Sequence, residues 1–324
     1  MNAKNIILTI LMVLSFTACS SEIEGIDNNM ASNTANPATA STSIVVNFSA
    51  GELITKSGVS DGTAKASDEE MSIDEYVIAV FEKQTGDRVG FTTGKNEGNK
   101  VSSQTIQNID CKEGEAIVYV VANAPAVQFT SLYTLADFEA VTVENPNNLV
   151  KVGKQETKLE QGKTNSLEIE LSQLTARVKV NFVVTVQSDE KVTFEANNYV
   201  ATIATSSAIQ NVKAIAGTSS TVNISSKSLN ISSESFTYYT YAVTNPTLAL
   251  NGTLTVTDKQ KNNTKEVTIE IPFKKEDQTL SSLKDGVSYE ITVEATLTVG
   301  INATPEISYQ IHNIETIDQG ITFN

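Results

Sequence analysis

Two residues near the start of the chain are placed for covalent chemistry. Cys19 follows Phe16-Thr17-Ala18, and small residues before a cysteine suit a signal peptidase that cuts on its N-terminal side. In front of it stand Lys4 and an apolar run over 6–16, too short to span a bilayer as a stable helix. The pattern resembles a bacterial lipobox, which implies that the Cys19 thiol receives a diacylglycerol, with Phe16 where Leu is usual. Each buried lipid methylene contributes roughly 0.8 kcal/mol, so two or three acyl chains hold a protein firmly. After Lys4 the next basic residue is Lys56. A trypsin-like protease therefore first meets a bond it can cut between Lys56 and Ser57, with Lys65 next.

The residue sets that enzymes use are missing. His312 is the single histidine, which excludes a zinc site of several histidines, and its place in the alternating tail offers no convincing Ser/His/Asp arrangement. Asp68-Glu69-Glu70 is contiguous rather than spaced as metal ligands, and is expected to be a solvated run. Gly94-Lys95 and Gly98-Asn99-Lys100 belong to a polar loop without a phosphate-binding pattern. We expect no catalytic residue, no metal and no cofactor. The chain has no tryptophan, the usual stacking face for sugars, and its net charge of −15 disfavours nucleic acid and anionic membrane surfaces. The only other cysteine is Cys111. With Cys19 lipidated it has no partner, and its place before an apolar run predicts a buried free thiol.

The elements that must position these residues are strands. Residues 20–27 are acidic, and 28–43 are rich in Asn, Ala, Thr and Ser, so this stretch reads as a flexible leash. Beyond it come short alternating runs separated by polar turns, at 44–48, 72–81 and 89–91. The nearly all-apolar 116–122 is expected to be a central strand, and 131–140 has helical spacing. Further runs lie at 167–171, 174–182, 237–243, 253–257, 267–273 and 287–299. The boundary between two units falls near Gln173. The tail places Ile307, Tyr309 and Ile311 at period two, shifts phase through Ile314 and Ile317, and ends on Ile321 and Phe323. Such a strand either packs into its own sheet or is offered to another molecule.

In this order the segments resemble the FimA-type fimbrillins, lipoprotein pilins of type V pili in anaerobic Gram-negative bacteria. The likeness is carried by Cys19, the first strand 44–48, the basic residue Lys56, and Asn108-Ile109-Asp110-Cys111-Lys112-Glu113-Gly114 running into 116–123. It continues through Leu174-Thr175-Ala176-Arg177-Val178, the strand 286–293 and the alternating tail. A member of the family is cut after an arginine, whereas here the matching residue is Lys56 and the first arginine is Arg88, where a cut would damage the fold.

The resemblance implies a mostly β protein of two tandem antiparallel β-sandwich (transthyretin-like) domains with one or two short helices. The expected division is a signal peptide 1–18, a lipidated leash and removable first strand 19–56, an N-terminal sandwich 57–172, a C-terminal sandwich 173–300 and a donor-strand tail 301–324. It implies a pilin tethered to outer-membrane lipid through Cys19 and then cut by a trypsin-like protease. Loss of Ile44, Val46 and Phe48 opens a groove, which Ile307, Tyr309, Ile311, Ile321 and Phe323 of a neighbouring copy or related pilin fill. The fimbria so built supports adhesion, with a host or bacterial surface receptor as a candidate partner. Two alternatives stay open at this point: an anchor or tip subunit that keeps its lipid, and a monomeric surface ligand-binding lipoprotein.

Overall fold

The computed structural model describes residues 41–50, 66–96, 98–186, 191–210, 219–225, 229–230, 233–258, 261–275, 278–300 and 304–316. Strands dominate. The first group is β1 (Thr42–Ala50), β2 (Glu75–Glu82), β3 (Arg88–Lys95), β4 (Ser103–Cys111), β5 (Gly114–Ala122), β6 (Thr142–Glu144), β7 (Lys151–Leu159) and β8 (Thr164–Gln173). A second group opens with β9 (Thr175–Val186), β10 (Lys191–Ala204), β11 (Ser206–Ala208), β12 (Ser219–Ser225), β13 (Leu229–Asn230), β14 (Ser233–Tyr241) and β15 (Val243–Thr244). It closes with β16 (Leu248–Asp258), β17 (Lys261–Glu270), β18 (Lys274–Lys275), β19 (Gln278–Thr279), β20 (Ser282–Leu283), β21 (Ser288–Gly300) and β22 (Thr304–Thr316). Among the described residues there are two short α-helices, α1 (Asp68–Met71) and α2 (Leu135–Glu139). The chain is thus mostly β, with sheets stacked in sandwich-like layers.

The first sheet has seven strands in the order β3-β2-β5-β7-β8-β1-β4. Its two ends approach each other: a Cβ built on Gly90 of β3 would lie 3.0 Å from the Asp110 carbonyl and 3.1 Å from Cys111 Cβ on β4. Glycine suits that close approach, where a larger residue would push its neighbours apart by a few tenths of an ångström. The apolar character of 116–122 now has its cause. β5 is central and covered on both faces, so both of its alternating sets are buried. Ala116, Val118 and Val120 face the core beneath β1, together with Ile78 and Val80 of β2. Ile117, Tyr119 and Val121 face a second cluster with Phe129 and with Phe138 of α2.

That second cluster continues without a break into the other sheet, through Leu174, Ala176, Val178, Val180 and Phe182. The main path of this sheet runs β17-β16-β10-β14-β9-β21-β22, with β12 and β13 also paired to β10. β8 ends at Gln173 in one sheet and β9 starts at Thr175 in the other. The pairing of β6 with β11 ties the two layers together a second time.

The helix expected over 131–140 is shorter than its apolar spacing suggests. It begins only at Leu135, where the Thr134 hydroxyl accepts the Asp137 N–H at 3.2 Å. The residues before it are drawn into β geometry. Arg88 N–H donates to the Tyr133 carbonyl at 2.8 Å, and Asp87 bridges Thr134. Pairing with the start of β3 overrides the local helical pattern.

Candidate functional site: the groove occupied by β1

β1 lies inside the first sheet, antiparallel to β4 on one side and parallel to β8 on the other. Thr42, Ile44, Val46, Phe48 and Ala50 point inward and are buried, as strict alternation dictates. Ile44 and Val46 are 0 % exposed and Phe48 is 2 % exposed, its ring 5.3 Å from that of Tyr76. The three residues expected to form the removable strand therefore fill one continuous core with Ile109, Cys111, Leu167, Ile169 and Leu171.

Polar contacts pin both ends and the middle. Thr42 Oγ1 contacts the carbonyls of Glu160 at 2.8 Å and Lys163 at 2.6 Å, and it accepts from Asn165 Nδ2 at 3.0 Å. The backbone N–H of Ala50 reaches the Ser102 carbonyl at 2.8 Å. On the outer face Asn47 accepts from the Thr105 hydroxyl at 2.6 Å and donates to Glu168 Oε1 at 3.4 Å. Cys111 is a buried free thiol beneath the start of β1, and its Sγ lies 3.9 Å from the Thr42 carbonyl. Burial, with the neighbouring Asp110 charge, pushes this thiol up to about 12.

Beyond Ala50 the described backbone resumes at Ala66, and the anchor there was not foreseen. Ser67 caps α1, with its Oγ accepting the Glu70 N–H at 3.2 Å while Glu70 Oε2 accepts the Ser67 N–H at 2.7 Å. Glu70, placed by sequence in a solvated run, is 2 % exposed. The α1 turn tips it onto the second sheet, where Arg177 Nη1 donates to it at 2.9 Å and the Tyr239 hydroxyl at 3.0 Å. Arg177 Nε in turn donates to Ser288 Oγ at 2.8 Å. Burial, reinforced by the Glu70 charge, drives the Tyr239 hydroxyl well above its usual range and keeps it a donor. The Ser67-x-x-Glu70 spacing was a legible signal of the cap. Nothing local signalled Arg177 and Tyr239, which arrive from 107 and 169 residues away.

A second buried charge lies close by. Lys151 is 1 % exposed and donates to the Ser72 and Leu149 carbonyls at 3.0 and 3.1 Å. Burial lowers it to about 8. Arg88, the first arginine, sits between the rings of Phe91 and Tyr133 and donates to the carbonyls of Phe129 and Thr130. A cut there would break this packing.

The tail residues Ile307, Tyr309 and Ile311 lie in β22, the border strand of the second sheet. β22 runs antiparallel to β21 and sets these residues opposite Leu297, Ala295 and Val293. Cys19, Lys56, Ser57, Ile321 and Phe323 lie outside the described residues. Among the described residues no cluster of metal-ligating side chains occurs, and no helix is long and apolar enough to cross a membrane.

No protein-family model and no curated protein matches the sequence. Solved structures do share its fold. A candidate cell adhesion protein from Parabacteroides distasonis aligns with a TM-score of 0.60 at 15 % identity, covering 86 % of this chain and 98 % of that one. The tip fimbrial protein Mfa3 from Porphyromonas gingivalis, in a C-terminally truncated form, aligns with a TM-score of 0.52 at 13 % identity, covering 84 % and 99 %. A fimbrilin, FimA, from Porphyromonas gingivalis aligns with a TM-score of 0.50 at 13 % identity, covering 86 % and 99 %. The chain thus has the fold of fimbrial and adhesion proteins over nearly their full length.

Proposed function

We propose that this protein is a structural subunit of a bacterial surface fimbria that polymerises by donor-strand exchange. It is exported as an outer-membrane lipoprotein acylated at Cys19 and freed by a trypsin-like cut between Lys56 and Ser57. Residues 57–172 form the accepting sandwich, 173–300 the second sandwich, and 301–324 the donor tail. The observation that carries this reading is the position of β1. It is the first strand among the described residues and sits inside its sheet, so its loss leaves two unpaired strand edges and an open apolar core together. A strand with alternating apolar residues fills both needs, and the tail has that alternation. Each large side chain buried this way contributes roughly 1.5–3 kcal/mol. Head-to-tail addition does not close on itself, so the product is a fibre.

The Glu70 anchor supports the same order of events. It lies downstream of both Lys56 and Lys65, so a cut at either lysine leaves α1 held to the second sheet. The groove can then be emptied without loosening the chain that follows it. The partners are neighbouring copies or related pilins, and the assembled fimbria supports adhesion to a surface receptor.

Cys111 provides the test. Under β1 it is buried and protonated; with β1 gone it regains an ordinary thiol pKa and reacts. We expect a maleimide to leave Cys111 unlabelled in a Cys19→Ser precursor, and to label it after limited trypsin digestion. Ladders resistant to SDS should then form and bury it again, with Ser57 as the new N-terminus. A chain that is not cut near Lys56, or that is cut and forms no ladder, overturns the proposal. One observation favours a second reading, a monomeric lipoprotein: β22 pairs fully with β21 of its own sheet. That reading expects loss of 304–324 to destabilise the monomer, and no ladder under any treatment.

A further inference from the structure

The outer face of β1 carries a chemical constraint that the apolar core does not. Apolar alternation has period two, so a donor strand shifted by two residues still turns its apolar side chains inward. The core therefore distinguishes poorly between such registers. Asn47 breaks the degeneracy. It stands directly opposite Thr105 of β4 and Glu168 of β8, in one rung across three strands. It accepts from the Thr105 hydroxyl at 2.6 Å and donates to the Glu168 carboxylate at 3.4 Å. A carboxylate can only accept and an ammonium can only donate, so the rung needs a group that does both, which an amide does from two separate atoms, its oxygen toward Thr105 and its nitrogen toward Glu168. Thr105 and Glu168 both remain when β1 is removed.

The tail repeats the pattern. β1 reads Ile44-x-Val46-Asn47-Phe48, and the tail reads Ile307-x-Tyr309-Gln310-Ile311. In each, an amide stands between the second and third apolar residues of the alternation. Gln310 is one methylene longer than Asn47, and there is room for it. An open groove of about 700 Å³ lies over Asn47, bordered by Ser49, Ser103, Thr105 and Glu168.

We propose that Thr105 and Glu168 form an amide-reading pair that pins the register of the incoming strand by binding Gln310 of a second copy of this chain. The inference rests on the donor-strand reading above and assigns that strand its place: Ile307, Tyr309 and Ile311 take the positions of Ile44, Val46 and Phe48. The donor then runs in the direction of β1, antiparallel to β4 and parallel to β8. In this register Pro305 falls where Thr42 stood. It has no hydroxyl for the Glu160 and Lys163 carbonyls, which favours β1 over the tail until β1 is cut away.

The test uses the full chain behind the leader with Cys19→Ser and Cys111→Ser. It carries Ser103→Cys on β4 and a second cysteine on the tail, either His312→Cys or Ile314→Cys. Ser103 stands opposite Ser49. The pinned register brings position 312 against it, and a two-residue slip brings 314. After limited trypsin digestion and mild oxidation, boiled non-reducing gels read the covalent ladder. We expect 312 to be trapped roughly fivefold or more over 314, the size of a lost hydrogen bond or two. Adding Gln310→Leu or Thr105→Val should erase that preference. Equal trapping at both positions, or a preference that Gln310→Leu leaves unchanged, overturns the pin while covalent ladders still uphold donor-strand exchange. SDS-resistant ladders that never become covalent overturn the register in the same way. No ladder of either kind overturns the donor-strand reading and the pin with it.

Discussion

β1 and β22 carry similar alternations of apolar residues in opposite situations. β1 is held by β4 and β8 along two ladders, with its inward side chains in a closed core. β22 is held by β21 along one ladder at the border of the other sheet. An interior strand must break two sets of backbone bonds and open a core to leave, whereas a border strand breaks one set. Under the proposed donor-strand exchange, the firmly held strand is the one that needs a covalent cut to be released, and the border strand is the one placed to exchange. Alternating sequence alone does not separate an interior strand from a border strand; the number of flanking strands does.

Deleting residues 41–50 should give the largest effect. Without β1 the first sheet has two bare edges and an open core, so we expect no cooperative thermal transition and aggregation on expression. Deleting 304–324 should leave a cooperative transition and abolish ladder formation. If the two deletions melt alike by circular dichroism, the contrast between the strands fails.

Single substitutions sharpen the contrast. Phe48→Ala removes a ring that is 2 % exposed and should destabilise the monomer by about 3–5 kcal/mol in urea titrations. Tyr309→Ala should cost the monomer less and polymer formation more. The order reverses if β22 rather than β1 is the strand built into its sheet.

Thr42→Val tests the pin at the start of β1. It removes a hydroxyl that contacts two backbone carbonyls, and should destabilise by about 1 kcal/mol. The effect should vanish in cut and polymerised material, where β1 is gone. Retention of the effect in the polymer would mean that β1 stays in place.

The smallest effect is alkaline and local to β1. The Cys111 thiol is raised from 9.0 to about 12 in the folded protein. Its contribution is fully present below pH 9 and is lost as pH rises toward about 12, because the unfolded chain ionises first. Cys111→Ser should flatten this part of the stability profile relative to the parent, measured as urea midpoints at pH 8 and pH 10.5. Lys151 acts with the opposite sign. Its folded value of about 8 lies below 10.5, so stability rises with pH between the two, and Lys151→Met removes that rise. Equal profiles for all three proteins would show that neither group is buried as described.

Much of this was legible locally. Period-two runs marked the long strands, and the apolar 116–122 was a central strand because burial on both faces leaves no place for polar residues. The inward faces of β1 and the buried Cys111 followed from the same alternation. The helix over 131–140 came out short because Arg88 and Asp87 draw its first residues into β pairing. Glu70 was misread because contiguous acids look solvated in a sequence; its partners Arg177 and Tyr239 are distant in the chain. Asn47 and Thr42 passed unnoticed for a related reason, since a polar residue in a strand acquires meaning only from the strands beside it.

The sequence by itself determined the alternation, the small residues ahead of Cys19, the long gap in basic residues before Lys56 and the single histidine. These depend on residue type and short-range spacing, and period-two chemistry needs nothing else. Tertiary structure decided which strand lies inside a sheet and which at its border, that Glu70 crosses to Arg177, and that Thr105 and Glu168 meet over Asn47. Those are choices among non-local pairings, and their energies arise only when segments more than 50 residues apart come within hydrogen-bond reach.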